Sequence, residues 1–84
     1  MDKSVLGMIP ERIVREYNVL PVFKLNNTLS VAIVDPIDSD PINAARNASG
    51  LKAEPLIVTA NELQSAIDIY YGMSTLTSFD DEDF

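Results

Sequence analysis

The order of apolar and polar positions along the chain predicts six elements, beginning with a short helix. Apolar residues recur at helical spacing between residues 13 and 17. Pro10 suits the first position of a helix, because an N–H group there has no intrahelical partner. Asn18 can close the helix in the left-handed conformation. The pattern therefore predicts a helix over residues 10–17, preceded by a lead-in at residues 1–8.

Two apolar, β-prone stretches follow this helix, at residues 19–25 and 29–34, on either side of Asn26 and Asn27. Asn tolerates the positive φ that a tight hairpin turn needs. The second stretch is apolar at nearly every position, which is typical of a strand that is covered on both faces. We therefore expect an antiparallel hairpin whose second strand lies inside the sheet.

A loop and a second helix come next. Asp35 and Pro36 end the second strand, since the carboxylate can accept local N–H groups and the proline ring fixes φ. Asp40 then has the position of an N-cap, ahead of a proline at the first helical position. Gly50 can end this helix in the left-handed conformation. Its apolar stripe consists of small residues, so we expect the helix to lie close to the sheet.

A third strand and a third helix complete the pattern. The strand is predicted over residues 53–58. Thr59 and Glu62 then have the spacing of a capping box, ahead of the clearest amphipathic stretch in the chain. Gly72 ends this helix. The remaining residues, 73–84, are polar and acidic, and we expect them to form a disordered tail or linker.

Two prolines determine the predicted strand order. Pro21 falls in the first strand and Pro55 in the third. Because proline cannot donate to a ladder, it is confined to edges and strand ends, so the second strand is central. The hairpin is antiparallel, and the helical crossover makes strands 2 and 3 parallel. The fold class is thus α/β (α+β), with element order α-β-β-α-β-α and a three-stranded mixed sheet of order 1-2-3.

These elements form a single domain over residues 9–72. The expected core consists of the inward-facing positions Ile13, Val14, Tyr17, Leu20, Val22, Leu29, Val31, Ile33, Ile42, Ala45, Leu56, Val58, Leu63, Ala66, Ile67 and Tyr70.

Composition limits the chemistry that the chain can perform. Its 84 residues allow one domain, and they include no His and no Cys. The commonest general base, the commonest metal ligand and the thiol nucleophile are therefore missing, so we expect no enzyme, no metal and no cofactor. The net charge of −7 and the scattered basic residues argue against nucleic-acid binding. No apolar run approaches the roughly 18 residues of a membrane span.

Three acids between the second strand and the second helix leave two alternatives open. Asp35 lies at the carboxyl end of the central strand, where ligands gather in open α/β sheets. We favour the simpler interpretation, in which its carboxylate stabilises a turn. Asp35, Asp38 and Asp40 also suggest a calcium loop, but the sixth and twelfth positions then hold Asp40 and Arg46 rather than Gly and Glu.

An ordered series of residues resembles a known family. The series consists of Ile9-Pro10, Tyr17, Leu20-Pro21, Leu29-Ser30-Val31-Ala32-Ile33-Val34-Asp35-Pro36, Gly50, Glu54-Pro55-Leu56, Glu62, Ala66-Ile67 and Tyr70-Tyr71-Gly72. It is similar to the second subdomain of the N-terminal domain of type II secretion and type IV pilus assembly ATPases. The resemblance covers residues 9–72.

The resemblance implies a non-catalytic, cytoplasmic module, peripheral to the inner membrane through its partners. Such modules help to couple the hexameric motor to an inner-membrane platform protein. The motor's phosphate loop, Gly-x-x-x-x-Gly-Lys-Ser/Thr, is absent. We expect a domain of a longer ATPase, with a small stand-alone protein as the alternative, and a monomer when isolated.

A small-ligand module is the alternative function that the resemblance leaves open. In a subset of the family, the whole N-terminal region binds cyclic di-GMP. That binding is associated with repeated Arg-Leu-Gly-x-x-Leu segments, and this chain has no Arg-Leu-Gly.

Three side chains are candidates for docking a partner. Arg12 and Arg15 lie on the polar side of the first helix, and Tyr71 ends the third helix beside Tyr70. An exposed Tyr or Arg is a typical anchor of a protein interface. The alternatives are a solvated helix face for the two arginines and packing on the sheet for Tyr71. Tyr70 lies on the apolar stripe and is expected in the core.

Overall fold

A computed structural model describes residues 3–72 of the chain. A 3₁₀ helix comes first, followed by three α-helices and three β-strands in the predicted order α-β-β-α-β-α. The bounds are Lys3–Met8 for the 3₁₀ helix, Glu11–Tyr17 for α1, Leu20–Leu25 for β1, Thr28–Ile33 for β2, Asp40–Ser49 for α2, Lys52–Ile57 for β3 and Ala60–Tyr71 for α3. The expected tail at residues 73–84 lies outside the described residues.

The sheet has the predicted strand order, with β2 between β1 and β3. β1 pairs with β2 in antiparallel orientation, and β3 pairs with β2 in parallel orientation. Pro21 of β1 and Pro55 of β3 both lie opposite Val31 of β2, on the two edge strands. A register shift follows Pro21, before Phe23. Proline has no N–H group to donate. It is tolerated on an edge strand because the outer side of that strand has no neighbouring strand to receive a hydrogen bond.

The core is built around β2. Every residue from Leu29 to Ile33 is buried, including Ser30, which is the buried polar residue of the described chain. Successive side chains of a strand point to opposite faces, so both faces of β2 are covered, as its apolar sequence predicts. Val5 and Ile9, at the start of the chain, are also part of the core. The segment expected to be a lead-in therefore packs on the domain through its 3₁₀ helix.

Backbone geometry at the ends of the elements follows from the residues there. Asn18 ends α1 with φ 53, and Gly50 ends α2 with φ 73, both in the left-handed region. The hairpin turn places Asn26 at φ 57. The capping box of α3 is confirmed: the Glu62 N–H donates to the Thr59 hydroxyl at 3.1 Å, and the Thr59 N–H donates to the Glu62 carboxylate at 3.0 Å.

Three residues depart from their predicted places. Pro10 is the N-cap of α1 and not its first helical residue. Asp40 is the first residue of α2 and not its N-cap, because Ser39 occupies that position without a side-chain cap. The Asp40 N–H instead donates to the Asp38 carboxylate at 3.0 Å. Leu56 was expected in the core but is 41% exposed. It lies on an edge strand, so its side chain has a neighbouring strand on one side alone.

Ile33→Asp should unfold the domain, because it places an unpaired carboxylate in the core at a position that is 1% exposed. We expect a loss of more than about 4 kcal/mol in the free energy of unfolding. Val34→Asp is the matched control, since Val34 is the next residue and is 38% exposed. It should cost less than about 1 kcal/mol. Urea denaturation followed by circular dichroism measures both, and an Ile33→Asp variant as stable as the parent would contradict the register of β2.

Candidate functional site

Arg15 connects α1 to the end of α3. Its Nε atom donates to the Glu11 carboxylate at 2.8 Å, one helical turn earlier. An Nη atom donates to the carbonyl oxygen of Gly72, and the guanidinium lies 3.6 Å from the Asp68 carboxylate. The hydrogen bond to Glu11 raises the pKa of Arg15, and Asp68 adds to the effect. Arg15 therefore directs its charged group toward residues of its own domain.

Tyr71 also makes an internal contact. Its hydroxyl donates to the carbonyl oxygen of Leu6 in the 3₁₀ helix at 3.1 Å. The ring is half-buried and packs against the core. Burial raises the pKa of Tyr71, with a smaller contribution from the nearby Glu11 carboxylate. Arg15 and Tyr71 thus meet at the end of α3 and join it to α1 and to the 3₁₀ helix.

Arg12 lies on the other side of α1 and is exposed. It lines a groove between α1 and α2 with a volume of about 350 Å³, which we call the helix groove. The lining residues are Pro10, Arg12, Ile13, Tyr17, Ala44, Asn47 and Ala48. Within residues 3–72 Arg12 forms no salt bridge, since the salt bridges there all involve Arg15. The groove therefore offers one cation, one phenol and small apolar side chains.

A second cleft, the apolar cleft, lies between the sheet and α3. Its volume is about 300 Å³, and its lining is apolar apart from Glu62 and the Tyr70 hydroxyl. The residues are Leu20, Val22, Ala32, Leu56, Val58, Glu62, Leu63, Ala66 and Tyr70. Tyr70, which was expected in the core, stands at this partly open cleft. Leu20, Ala32 and Leu56 are register partners across the three strands, so they share one face of the sheet.

The same face continues beyond the cleft toward the hairpin turn. Phe23 and Glu54 are both paired with Ser30, two residues from Ala32, and Leu25 is paired with Thr28. Phe23 is 42% exposed and Leu25 66% exposed. Leu20 and Ala32 themselves are buried. We call the exposed part of this surface, formed by Phe23, Leu25 and Leu56, the open sheet face. Large apolar side chains grouped in this way mark an interaction surface more often than scattered ones do.

The acids after β2 form a turn. The Ile37 N–H donates to the Asp35 carboxylate at 2.9 Å. This hydrogen bond closes a short Asx turn that contains Pro36. The described residues contain no group of three or more His, Cys, Asp and Glu that could hold a metal ion. Across residues 3–72 no helix is both long and apolar enough to cross a membrane.

Only part of this site was predictable from the sequence. It singled out Arg12, Arg15 and Tyr71, and the structure brings Arg15 and Tyr71 together but leaves Arg12 on the helix groove. It placed Leu56 and Tyr70 in the core, and so it missed the apolar cleft. One signal could have revealed it. Leu56 belongs to a strand that Pro55 marks as an edge, and apolar residues on an edge strand are often incompletely covered.

This geometry defines a small α/β domain that carries clefts on its surface. The MshEN domain model matches residues 1–76. The chain therefore belongs to the MshEN family, the N-terminal domain of type IV pilus assembly ATPases. This confirms the expected family, and the relatives found are of the pilus kind.

Two curated relatives are similar over most of the chain. The type IV pilus assembly ATPase PilB of Pseudomonas aeruginosa is 35% identical over 77 residues, which cover 89% of this chain and 14% of that protein. PilB of Acinetobacter baylyi is 29% identical over 75 residues, or 89% of this chain and 13% of that protein. The chain thus spans about one-seventh of the length of these ATPases.

The fold also occurs in a solved structure of a related protein. It is the structure of MshE with cdg, which superposes with a TM-score of 0.75 at 27% identity. The match covers 83% of this chain and 51% of the MshE chain.

Tyr71→Phe should lower stability at pH 8 by roughly 0.5–1.5 kcal/mol, because the hydrogen bond to the Leu6 carbonyl is lost. Folding raises the pKa of Tyr71 above the ordinary tyrosine value of 10.0. The stabilisation that the protonated Tyr71 hydroxyl adds to the free energy of unfolding is therefore fully present below pH 10. It is lost as pH rises through the folded-state pKa. The difference in unfolding free energy between parent and variant should shrink in that range. Urea denaturation at pH 8, 9.5 and 11 measures it, and a constant difference would contradict the burial of the phenol.

Proposed function

We propose that this chain is a non-catalytic interaction module of a type IV pilus assembly ATPase, which couples the motor to an inner-membrane platform protein. The observation that carries the proposal is the open sheet face, where Phe23, Leu25 and Leu56 are each more than two-fifths exposed beside the apolar cleft. Family membership supplies the setting, since the similar proteins are pilus assembly ATPases.

The chemistry of the partner follows from that face. Its apolar residues favour a partner segment with apolar side chains of its own, which would fill the cleft and cover Leu56. The charged residues at the border are Glu54 and Glu62, so a basic residue beside the apolar ones would add to the attraction. ATP hydrolysis belongs to another part of the parent protein, and the module works in the cytoplasm, at the inner membrane through its partner.

The three residues first considered for docking take different parts in this proposal. Arg12 remains available to a partner at the helix groove. Arg15 and Tyr71 act indirectly, because their contacts with Gly72 and Leu6 hold α1, α3 and the 3₁₀ helix in one arrangement. Their substitution would affect docking by loosening that arrangement.

Leu56→Glu should weaken binding to the platform protein at least tenfold, because it places a carboxylate in the apolar contact. The measurement is isothermal titration of the chain with the cytoplasmic region of the platform protein from the same pilus system. Ile69→Glu is the matched control, since Ile69 is 75% exposed and lines neither cleft. It should leave the affinity unchanged. Absence of binding by the parent would overturn the coupling role, and equal weakening by both variants would overturn the assignment of the face.

Binding of a cyclic dinucleotide is the second candidate, and the MshE structure with cdg is the observation that favours it. This chain covers about half of that MshE chain and has no Arg-Leu-Gly segment. We therefore expect cyclic di-GMP to leave the melting temperature of the isolated chain unchanged. A rise that increases with ligand concentration would favour the second candidate by linkage.

A further inference from the structure

The helix groove has an apolar floor and a cationic rim. Ile13 and Tyr17 of α1 face Ala44 and Ala48 of α2 across it, and the small alanine side chains leave room for a ring. Arg12 stands at the rim, and Arg46 follows on α2 beside Asn47. Within residues 3–72 neither arginine forms a salt bridge. An occupant of this groove should therefore combine an aromatic side chain with negative charge.

The chain itself carries such a segment. Residues 79–84 read Phe-Asp-Asp-Glu-Asp-Phe, which is four carboxylates between two aromatic rings. This segment, the acidic tail, follows α3 after a spacer of residues 73–78, in which Met73 and Leu76 stand among four Ser and Thr residues.

Gly72, after which the spacer and the acidic tail follow, lies beside α1, one side of which lines the helix groove. Arg15 of α1 holds the Gly72 carbonyl, so the chain leaves the described domain beside α1. A helix turns by about 100° per residue. Relative to the buried Val14, Arg12 and Glu16 therefore lie farthest from the core, one turn apart along α1, between Arg15 on the α3 side and Ile13 on the α2 side. A chain that leaves Gly72 and crosses α1 meets Arg12 before it reaches the groove.

The spacer is long enough for that path. Phe79 is seven residues beyond Gly72, and an extended chain spans about 3.3–3.6 Å per residue, or roughly 23–25 Å in total. A helix with its side chains is about 10–12 Å wide. The tail can therefore cross α1 and reach the groove without any change in the domain.

Charge favours the helix groove over the apolar cleft. Glu62 is the charged residue that lines the apolar cleft, and Glu54 continues the same sheet face, so both would repel an acidic segment. At the helix groove the lining charge is Arg12. Glu16, which is also exposed on α1, opposes docking at the far end of that helix, so the carboxylates should lie nearer Arg12.

We infer that residues 79–84 dock in the helix groove of their own chain, with a phenylalanine ring between α1 and α2 and the carboxylates beside Arg12 and Arg46. The contact covers Arg12 and competes with any partner that uses it. Tethering gives the tail a high effective concentration, so a weak contact is populated. The contact is a property of the chain alone, and it stands whether or not the platform protein binds.

Paramagnetic relaxation enhancement tests this inference directly. The chain has no Cys, so Ser78→Cys gives a single site for a nitroxide spin label. In low salt, the amide signals of Ala44 and Ala48 should broaden at least twofold more than those of Leu56 and Ala66. Because the attraction is between exposed charges, 0.5 M NaCl should reduce the broadening. Stronger broadening at Leu56 and Ala66, or no preference, would overturn the inference.

Matched charge reversals identify the contact. In the labelled chain, Arg12→Glu should remove the selective broadening, and Lys24→Glu should preserve it, since Lys24 is exposed on the hairpin and lines neither cleft. Equal effects of the two reversals would show attraction to the net charge alone and would overturn the assignment to Arg12. A final control mixes two samples: a spin-labelled chain without ¹⁵N, and a ¹⁵N-labelled chain without a spin label. The ¹⁵N signals in this mixture should show no broadening. Broadening in that mixture would show contact between copies and would overturn docking within one chain.

Discussion

The need to bury β2 on both faces is the constraint on which the rest of this structure depends. A strand with apolar residues at nearly every position must have elements on both sides. In so short a chain, this requirement leaves β1 and β3 as edges, and each edge strand carries a proline opposite Val31. Three helices and a 3₁₀ helix then provide the cover, but α3 extends over one end of the second face. The open sheet face is the part that remains uncovered.

The end of α3 is the second point around which the domain is organised. Arg15 joins it to α1 through the Gly72 carbonyl and Asp68, and Tyr71 joins it to the 3₁₀ helix through Leu6. These contacts fix the place where the chain leaves the domain. Side chains that looked like docking groups in the sequence are therefore used to hold the domain together, and the exposed apolar face carries the proposed interaction.

The fold was largely predictable because its signals are local. Pro21 and Pro55 identified the edges, Asn18 and Gly50 closed helices, and the spacing of Thr59 and Glu62 marked the start of α3. The clefts were harder to predict, since they depend on how far one element covers another. Leu56 shows the difficulty: its apolar character predicts burial, and its exposure follows from the tertiary position of an edge strand. Arg15 is another case, because its contact with Gly72 joins residues 57 positions apart, and no periodicity reports such a pair.

The central claim is that the open sheet face binds the platform protein, and a chemical-shift titration of the ¹⁵N-labelled chain tests it most directly. The cytoplasmic region of the platform protein is added in steps, and shift changes are mapped on the described residues. The account predicts that the changed amides cluster at Ala32, Leu56 and Ala66, around the apolar cleft. Changes confined to other surfaces, or no changes at saturating partner, would contradict it.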